Sequence, residues 1–163
     1  MNRLEENYIK KLRSLVGDEY IMLNATAVII VNEQKEVLLQ KRSDNGLWGL
    51  PGGLLELNET IADAAIREVK EETNLDIKLV KFIGCFTNPF MRWRKKDFAK
   101  VFSFAFTGKV IDGELKINDS ESTELKYFRL EELPKLHSID NIQIIEAYYN
   151  NKFQMIEGEN YDG

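Results

Sequence analysis

The chain has 163 residues, enough for one domain with a real core and too few for two comfortable ones. A hydrophobic share of 44%, a charged share of 30% and a net charge of −5 fit a globular protein and argue against one that coats nucleic acid. A single cysteine, Cys85, excludes internal disulfides, and a single histidine, His137, excludes a histidine-built zinc site.

Leu4, Tyr8, Leu12 and Leu15 recur at helical spacing and predict an amphipathic helix within residues 1–19, ended by Gly17. The charged segment Met1–Lys11 lacks the apolar run of a signal peptide. Ala25–Val31 is apolar and β-branched, a strand buried on both faces, and is far shorter than a membrane span. The expectation is therefore a cytoplasmic chain with no membrane partner. Asn32–Lys35 is a polar turn and Val37–Arg42 a second strand, so the pair reads as a hairpin. After Ser43-Asp44-Asn45-Gly46 breaks the pattern, Leu47-Trp48-Gly49-Leu50-Pro51-Gly52-Gly53 leads to a helix from about Ile61 to Thr73.

Asp76–Phe86, Phe98–Thr107 and Glu124–Arg129 are strand-like, and Asp140–Lys152 is helical, with Ile142, Ile145 and Tyr149 facing the body. Cys85, inside the apolar run Phe82–Phe86, reads as a structural thiol rather than a nucleophile. His137, between the Leu133-Pro134 break and the last helix, reads as a surface or capping residue. The main body spans 20–156, followed by a flexible tail at 157–163. The sum is an α/β domain, a mixed sheet with helices packed on it.

The helix at 61–73 carries the chemistry. Thr60 is its expected N-cap, with Asp63 completing a capping-box pattern. Ala62, Ala65, Ile66 and Val69 share an apolar face at 100° per residue. Glu68, Glu71 and Glu72 fall on the neighbouring arc, three and four positions apart, where like charges cost about a few tenths of a kcal/mol per pair. Arg67 offsets Glu71 only in part. Spacing alone leaves two readings, a solvated acidic face or a cluster that needs a cation. The loop upstream favours the second. Gly52-Gly53 lets the backbone approach closely and aim a carbonyl, and oxygen ligands of this kind suit Mg²⁺ or Mn²⁺. The loop lacks the G-K-[ST] ending of a P-loop, and no G-x-S-x-G elbow marks a serine hydrolase.

Gly53, Glu59, Arg67-Glu68-Val69-Lys70-Glu71-Glu72 and Leu75 resemble the Nudix box, G-x5-E-x7-R-E-U-x-E-E-x-G-U, where U is aliphatic. Asn74 stands where the box has its late glycine, just past the helix end, and Asn is the commonest substitute for Gly in a left-handed conformation. The likeness extends over about Tyr20 to Pro134, through Leu38–Arg42, Leu47–Gly53 and Tyr127–Pro134. It implies the Nudix α/β/α sandwich, with the box as loop–helix–loop. It also implies a Mg²⁺-dependent hydrolase acting on a small nucleotide substrate, a nucleoside diphosphate linked to another group. That substrate would be a nucleotide sugar such as ADP-ribose, or a nucleoside triphosphate. The alternative is a nucleotide-sensing module of the same fold without turnover.

By the same residue-to-residue match, Glu68 and Glu72 would hold the metal together with the Gly52 carbonyl. Glu71 would be a further ligand or the base that deprotonates water, and Arg67 and Glu59 would pair and brace the helix. Some family members take the base from a later loop, for which Glu121 and Glu124 are candidates, Glu124 the better placed. Arg92, Trp93 and Arg94, in a basic aromatic segment, and Arg42 are candidate substrate contacts. The same segment also describes an exposed hairpin loop. Trp48 is expected to pack its own loop. The N-terminal helix suits either a homodimer contact or a cover for its own sheet.

Overall fold

The computed structural model describes residues 7–92 and 98–158. The expectations for Leu4, Trp93, Arg94 and the last five residues lie outside these. Two sheets are present. One has four strands in the order β1 (Ile21–Ile30), β5 (Phe98–Asp112), β4 (Asp76–Arg92), β7 (Met155–Ile156). The other has three, in the order β3 (Trp48–Gly49), β2 (Val37–Arg42), β6 (Ser122–Phe128). β1 runs parallel to β5, and β4 antiparallel to it, so the larger sheet is mixed.

Alternation along the central strands sorts side chains between two helices. Val28 and Ile30 of β1 and Leu38 of β2 pack with Ala65 and Val69 of α2 (Ile61–Thr73). Ala27, Ile29, Val37 and Leu39 face the other way, against Ile144 and Ile145 of α3 (Ile139–Tyr149). The architecture is thus α/β/α, as the resemblance implied.

β1 and β2 do not form the expected hairpin. They meet at one bridge, Val31 to Val37, and then part into different sheets. The edge of β1 that a hairpin would use is taken by the loop before α2. The amides of Thr26 and Val28 donate to the carbonyls of Gly53 (2.8 Å) and Pro51 (2.9 Å), and Leu55 donates to Asn24 (2.9 Å). That loop is the one with the glycines, so the lost hairpin and the site have one cause.

Each helix buries only part of the face its apolar residues suggest, and adds polar residues to it. On α2, Ala62 and Ile66 are exposed, whereas Ala64, Ala65, Val69, Glu72 and Thr73 are buried. On α3, Ile142 is exposed and Ile144 and Ile145 are buried, alongside Asp140 and Asn141. In each case the buried stripe takes in polar side chains with partners inside, Glu72 accepting the Gly52 amide and Asp140 the Ser103 hydroxyl. β4 and β5 outrun their expected ends: beyond Phe86 the chain pairs with the start of β5, through a bulge between Asn88 and Met91, and beyond Thr107 it pairs with the start of β4. Arg92 closes β4 opposite Phe98.

α1 (Tyr8–Val16) is capped by Asn7, ends at Gly17 (φ 66°), and covers its own chain. Tyr8 and Ile9 pack on Leu23, Ala25, Ala99 and Val101, and Arg13 Nη2 donates to the Phe98 carbonyl at 2.8 Å. Cys85 is a half-buried thiol pushed up by burial. Among the described residues, no helix is long and apolar enough to cross a membrane.

Candidate active site

The site is built on the first three turns after the glycine loop. Thr60 accepts the Asp63 amide at 3.1 Å, and the Thr60 hydroxyl donates to the Asp63 carboxylate at 2.8 Å, which fixes the start of α2. At its other end Asn74 adopts the left-handed conformation (φ 64°, ψ 7°), as its place in the motif predicted. Gly52 (φ 153°) lies so close to β1 that an added Cβ would sit 2.0 Å from the Thr26 carbonyl oxygen. A Cβ on Gly53 would sit 2.5 Å from the Glu68 carboxyl carbon. Glycine is required at Gly52 because backbone occupies the space of a side chain, whereas at Gly53 a side chain would displace the Glu68 carboxylate.

Arg67 organises the acids. Its Nε and Nη2 grip the two Glu59 oxygens at 2.8 and 2.6 Å, and Nη2 also donates to the Leu54 carbonyl at 3.2 Å. Nη1 reaches Glu68 at 3.0 Å and Glu71 at 3.1 Å. The fork on Glu59 holds that carboxyl below the usual range and raises Arg67 further above its own. Glu71 is half exposed, with 54% of its side-chain surface open.

Glu68 and Glu72 are different in kind. Burial pushes Glu68 up to about 7 against the opposing pull of Arg67. Glu72 is 3% exposed and pushed well above the carboxylate range by burial first and by Glu68 second. It accepts the Gly52 amide at 3.0 Å.

The segment after β5 brings further acids to this point. It is tied to the end of α2 by Lys116 N–H to Thr73 O (3.1 Å), Asn118 Nδ2 to Lys70 O (3.3 Å) and Asn74 Nδ2 to Glu114 O (2.9 Å). Asp119 and Glu121 then lie with Glu72 so that one carboxylate oxygen of each is within 4.8 Å of the others. The later-loop acid that joins the cluster is therefore Glu121, not Glu124. Glu124 sits in β6 opposite Lys41, half exposed, with its carboxylate 4.0 Å from that ammonium. Asp119 was not singled out from the sequence; its only signal was membership of an acidic run. An all-oxygen, self-repelling set of this kind fits a hard divalent cation.

A pocket of mixed polar and apolar lining opens beside Gly52 and Gly53, with Arg42, His137, Asp140 and Asn141 among its polar side chains. Arg42 is held by Asp44 through a two-point contact at 3.0 and 2.8 Å. Asp140 accepts the Ser103 hydroxyl at 2.7 Å, and Asn141 accepts the Leu50 amide at 2.7 Å while donating to Ser138 at 3.0 Å. His137 is neither a surface residue nor a cap. Its ring abuts Gly49, and burial, followed by Arg42, lowers it to about 4, so it stands neutral in the pocket wall. Ser138, Asp140 and Asn141 look in sequence like ordinary helix-start residues, which hid their inward role. Trp48 packs its loop as expected, edge-on to Phe128 at 4.8 Å.

The NUDIX domain model matches residues 22–148. The chain belongs to the Nudix family. An ADP-ribose pyrophosphatase from Methanocaldococcus jannaschii is 36% identical over 155 residues, covering 91% of this chain and 88% of that protein. A putative 8-oxo-dGTP diphosphatase from Bacillus subtilis is 35% identical over 107 residues, 66% of each chain. Among solved structures, an ADP-ribose pyrophosphatase from Streptococcus suis superposes with a TM-score of 0.64 at 26% identity, covering 83% of this chain and 96% of that one. This Nudix protein is an enzyme, a pyrophosphohydrolase acting on nucleotide derivatives.

Proposed function

We propose that the enzyme is a Mg²⁺-dependent hydrolase of a nucleoside diphosphate linked to a sugar, ADP-ribose being the leading candidate. One observation carries the metal part: the buried Glu72 carboxylate shares a 4.8 Å cluster with Asp119 and Glu121, an arrangement that repels itself without a cation. Glu68 and Glu72 hold the cation together with the Gly52 carbonyl, with Asp119 and Glu121 completing the acidic side. The carbonyls of Pro51 and Gly53 are committed to β1, and the Gly52 amide already points at Glu72, so its own carbonyl is the one left to the site. When bound, the cation neutralises the bridging phosphates and acidifies the attacking water.

The chain's own groups do the rest. Arg67 and Glu59 lock the helix that presents Glu68 and Glu72. Water adds to one phosphorus of the anhydride, the bridging P–O bond breaks, and its electron pair leaves with the departing phosphate. The water proton passes to a carboxylate, for which exposed Glu121 or Glu71 is placed, rather than Glu124. The pocket at Arg42, His137, Asp140 and Asn141 receives the organic part of the substrate. ADP-ribose is preferred because the relative from M. jannaschii that bears this activity in its name matches over nine-tenths of this chain. A cytoplasmic site of action accords with this substrate and with a lone cysteine.

A panel of ADP-ribose, UDP-sugars and nucleoside triphosphates, assayed with Mg²⁺ and with Mn²⁺, tests the proposal by its products. ADP-ribose should give AMP and a sugar phosphate faster than any triphosphate gives pyrophosphate. Preferential turnover of a triphosphate would overturn the substrate choice.

A further inference from the structure

Asp44, in the turn after β2, is an acid with no part in the carboxylate cluster. The turn itself is closed and anchored. The Arg42 amide donates to the Leu47 carbonyl (2.8 Å) and the Gly46 amide to the Arg42 carbonyl (3.0 Å), with Gly46 in the left-handed region at φ 68°. Asn45 Oδ1 accepts the Leu47 amide at 2.9 Å, and the Ser43 amide donates to the Glu121 carbonyl at 2.8 Å. Asp44 is therefore a short side chain on a fixed support.

Its carboxylate takes the Arg42 guanidinium from the side, Oδ1 accepting Nε at 3.0 Å and Oδ2 accepting Nη2 at 2.8 Å. A guanidinium carries five N–H groups in one plane. Two go to Asp44, and Arg42 makes no other side-chain hydrogen bond or ion pair among the described residues. Both N–H groups of Nη1 and one of Nη2 are left for a ligand. Arg42 is also the one cationic side chain among the described residues that line the pocket, since His137 stands neutral. Asp44 is not part of that lining. In the ladder Arg42 pairs with Ser122, the residue after Glu121, so it borders the acidic loop as well as the pocket. A diphosphate held at that loop, with its organic end in the pocket, passes Arg42 with the phosphate nearest the organic part.

We infer that Asp44 is a positioning residue that holds Arg42 so that its outer edge meets an oxygen of that phosphate. The inference rests on the reading of the cluster and pocket as the substrate site. An arginine that swings freely loses the freedom of a long side chain on binding. One gripped at two points by a short carboxylate has lost it beforehand. Asp44 thereby acts on substrate binding rather than on the bond-breaking step.

The test is steady-state hydrolysis in Mg²⁺ of whichever compound in the panel wild type cleaves fastest. It compares wild type, Asp44→Asn, Arg42→Met and the double variant, with melting temperatures as the check on folding. Asp44→Asn should raise KM about fivefold and leave kcat within about twofold of wild type. Arg42→Met should raise KM about twentyfold. Adding Asp44→Asn to Arg42→Met should raise it no further, because Asp44 acts only through Arg42. The same rise in both backgrounds, as a merely structural role in the turn would give, overturns the inference. So does a KM unchanged or lowered in a folded Asp44→Asn. If Asp44→Asn does not fold, Arg42→Lys decides, since lysine keeps the charge but cannot be gripped at two points. Its KM should rise about fivefold, and a wild-type KM there overturns the inference. These failures leave the proposed function standing, whereas a wild type that cleaves nothing in the panel removes both.

Discussion

Glu68 and Glu72 are buried acids whose ordinary charge the fold itself resists, and this has a measurable sign. The folded value of Glu68, about 7, lies above the ordinary value of 4.5. The neutral carboxyl is therefore favoured by folding. Its contribution is present below pH 4.5 and lost as pH rises through 7. In chelator, Glu68→Gln should gain stability relative to wild type across that window, by on the order of 2 kcal/mol at pH 8 and almost none at pH 4.5. Chemical denaturation at several pH values checks it; a gap independent of pH would contradict it. His137 has the opposite behaviour. Its folded value of about 4 lies below 6.5, so its stabilisation is present above pH 6.5 and lost as pH falls towards 4. Compared with His137→Gln, wild type should lose up to about 3 kcal/mol over that range, readable in the same experiments. At this scale the box residues were legible because they fall in one contiguous stretch, 53–75, whose pattern resembles a known motif. Asp119 and Asp140 were not, since what defines them is a partner tens of residues away.

Between residues and the whole lie the elements, where hydrophobic pattern and function compete. The apolar residues of α2 suggested a face of Ala62, Ala65, Ile66 and Val69; Ala65 and Val69 are buried, but the stripe continues through Glu72 in place of Ala62 and Ile66. Burying this stripe brings two carboxylates to the Gly52-Gly53 loop and leaves Ile66 38% exposed. A pattern reading could not foresee that, because it scores burial by residue type alone. The expected β1–β2 hairpin failed for a related reason: local sequence does not say that a loop further on claims the strand edge. The end of α2, by contrast, was readable. Asn74 takes the left-handed conformation and ties its side chain to the Glu114 carbonyl. Asn74→Ala should lose about 1 kcal/mol of stability in thermal or urea unfolding, and Asn74→Gly should lose less. Equal losses in the two variants would place the role of Asn74 in the side-chain contact rather than the backbone.

For the molecule as a whole, the order of layers was implied by resemblance rather than by periodicity, and the division into two sheets was not. That division has a function. Splaying β1 from β2 admits the glycine loop between them, with the carboxylate cluster towards α2 and the pocket bounded by the start of α3. A diphosphate placed at the cluster can reach the pocket with its organic end. The central claim is that Glu72 and its neighbours use a divalent cation to cut such a substrate. Hydrolysis of ADP-ribose in Mg²⁺, measured side by side for wild type and Glu72→Gln, tests it most directly. Wild type should release AMP in a reaction that chelator abolishes, and Glu72→Gln should fall at least about a hundredfold with the fold retained. Turnover by Glu72→Gln at the wild-type rate, or turnover by wild type unaffected by chelator, would contradict it.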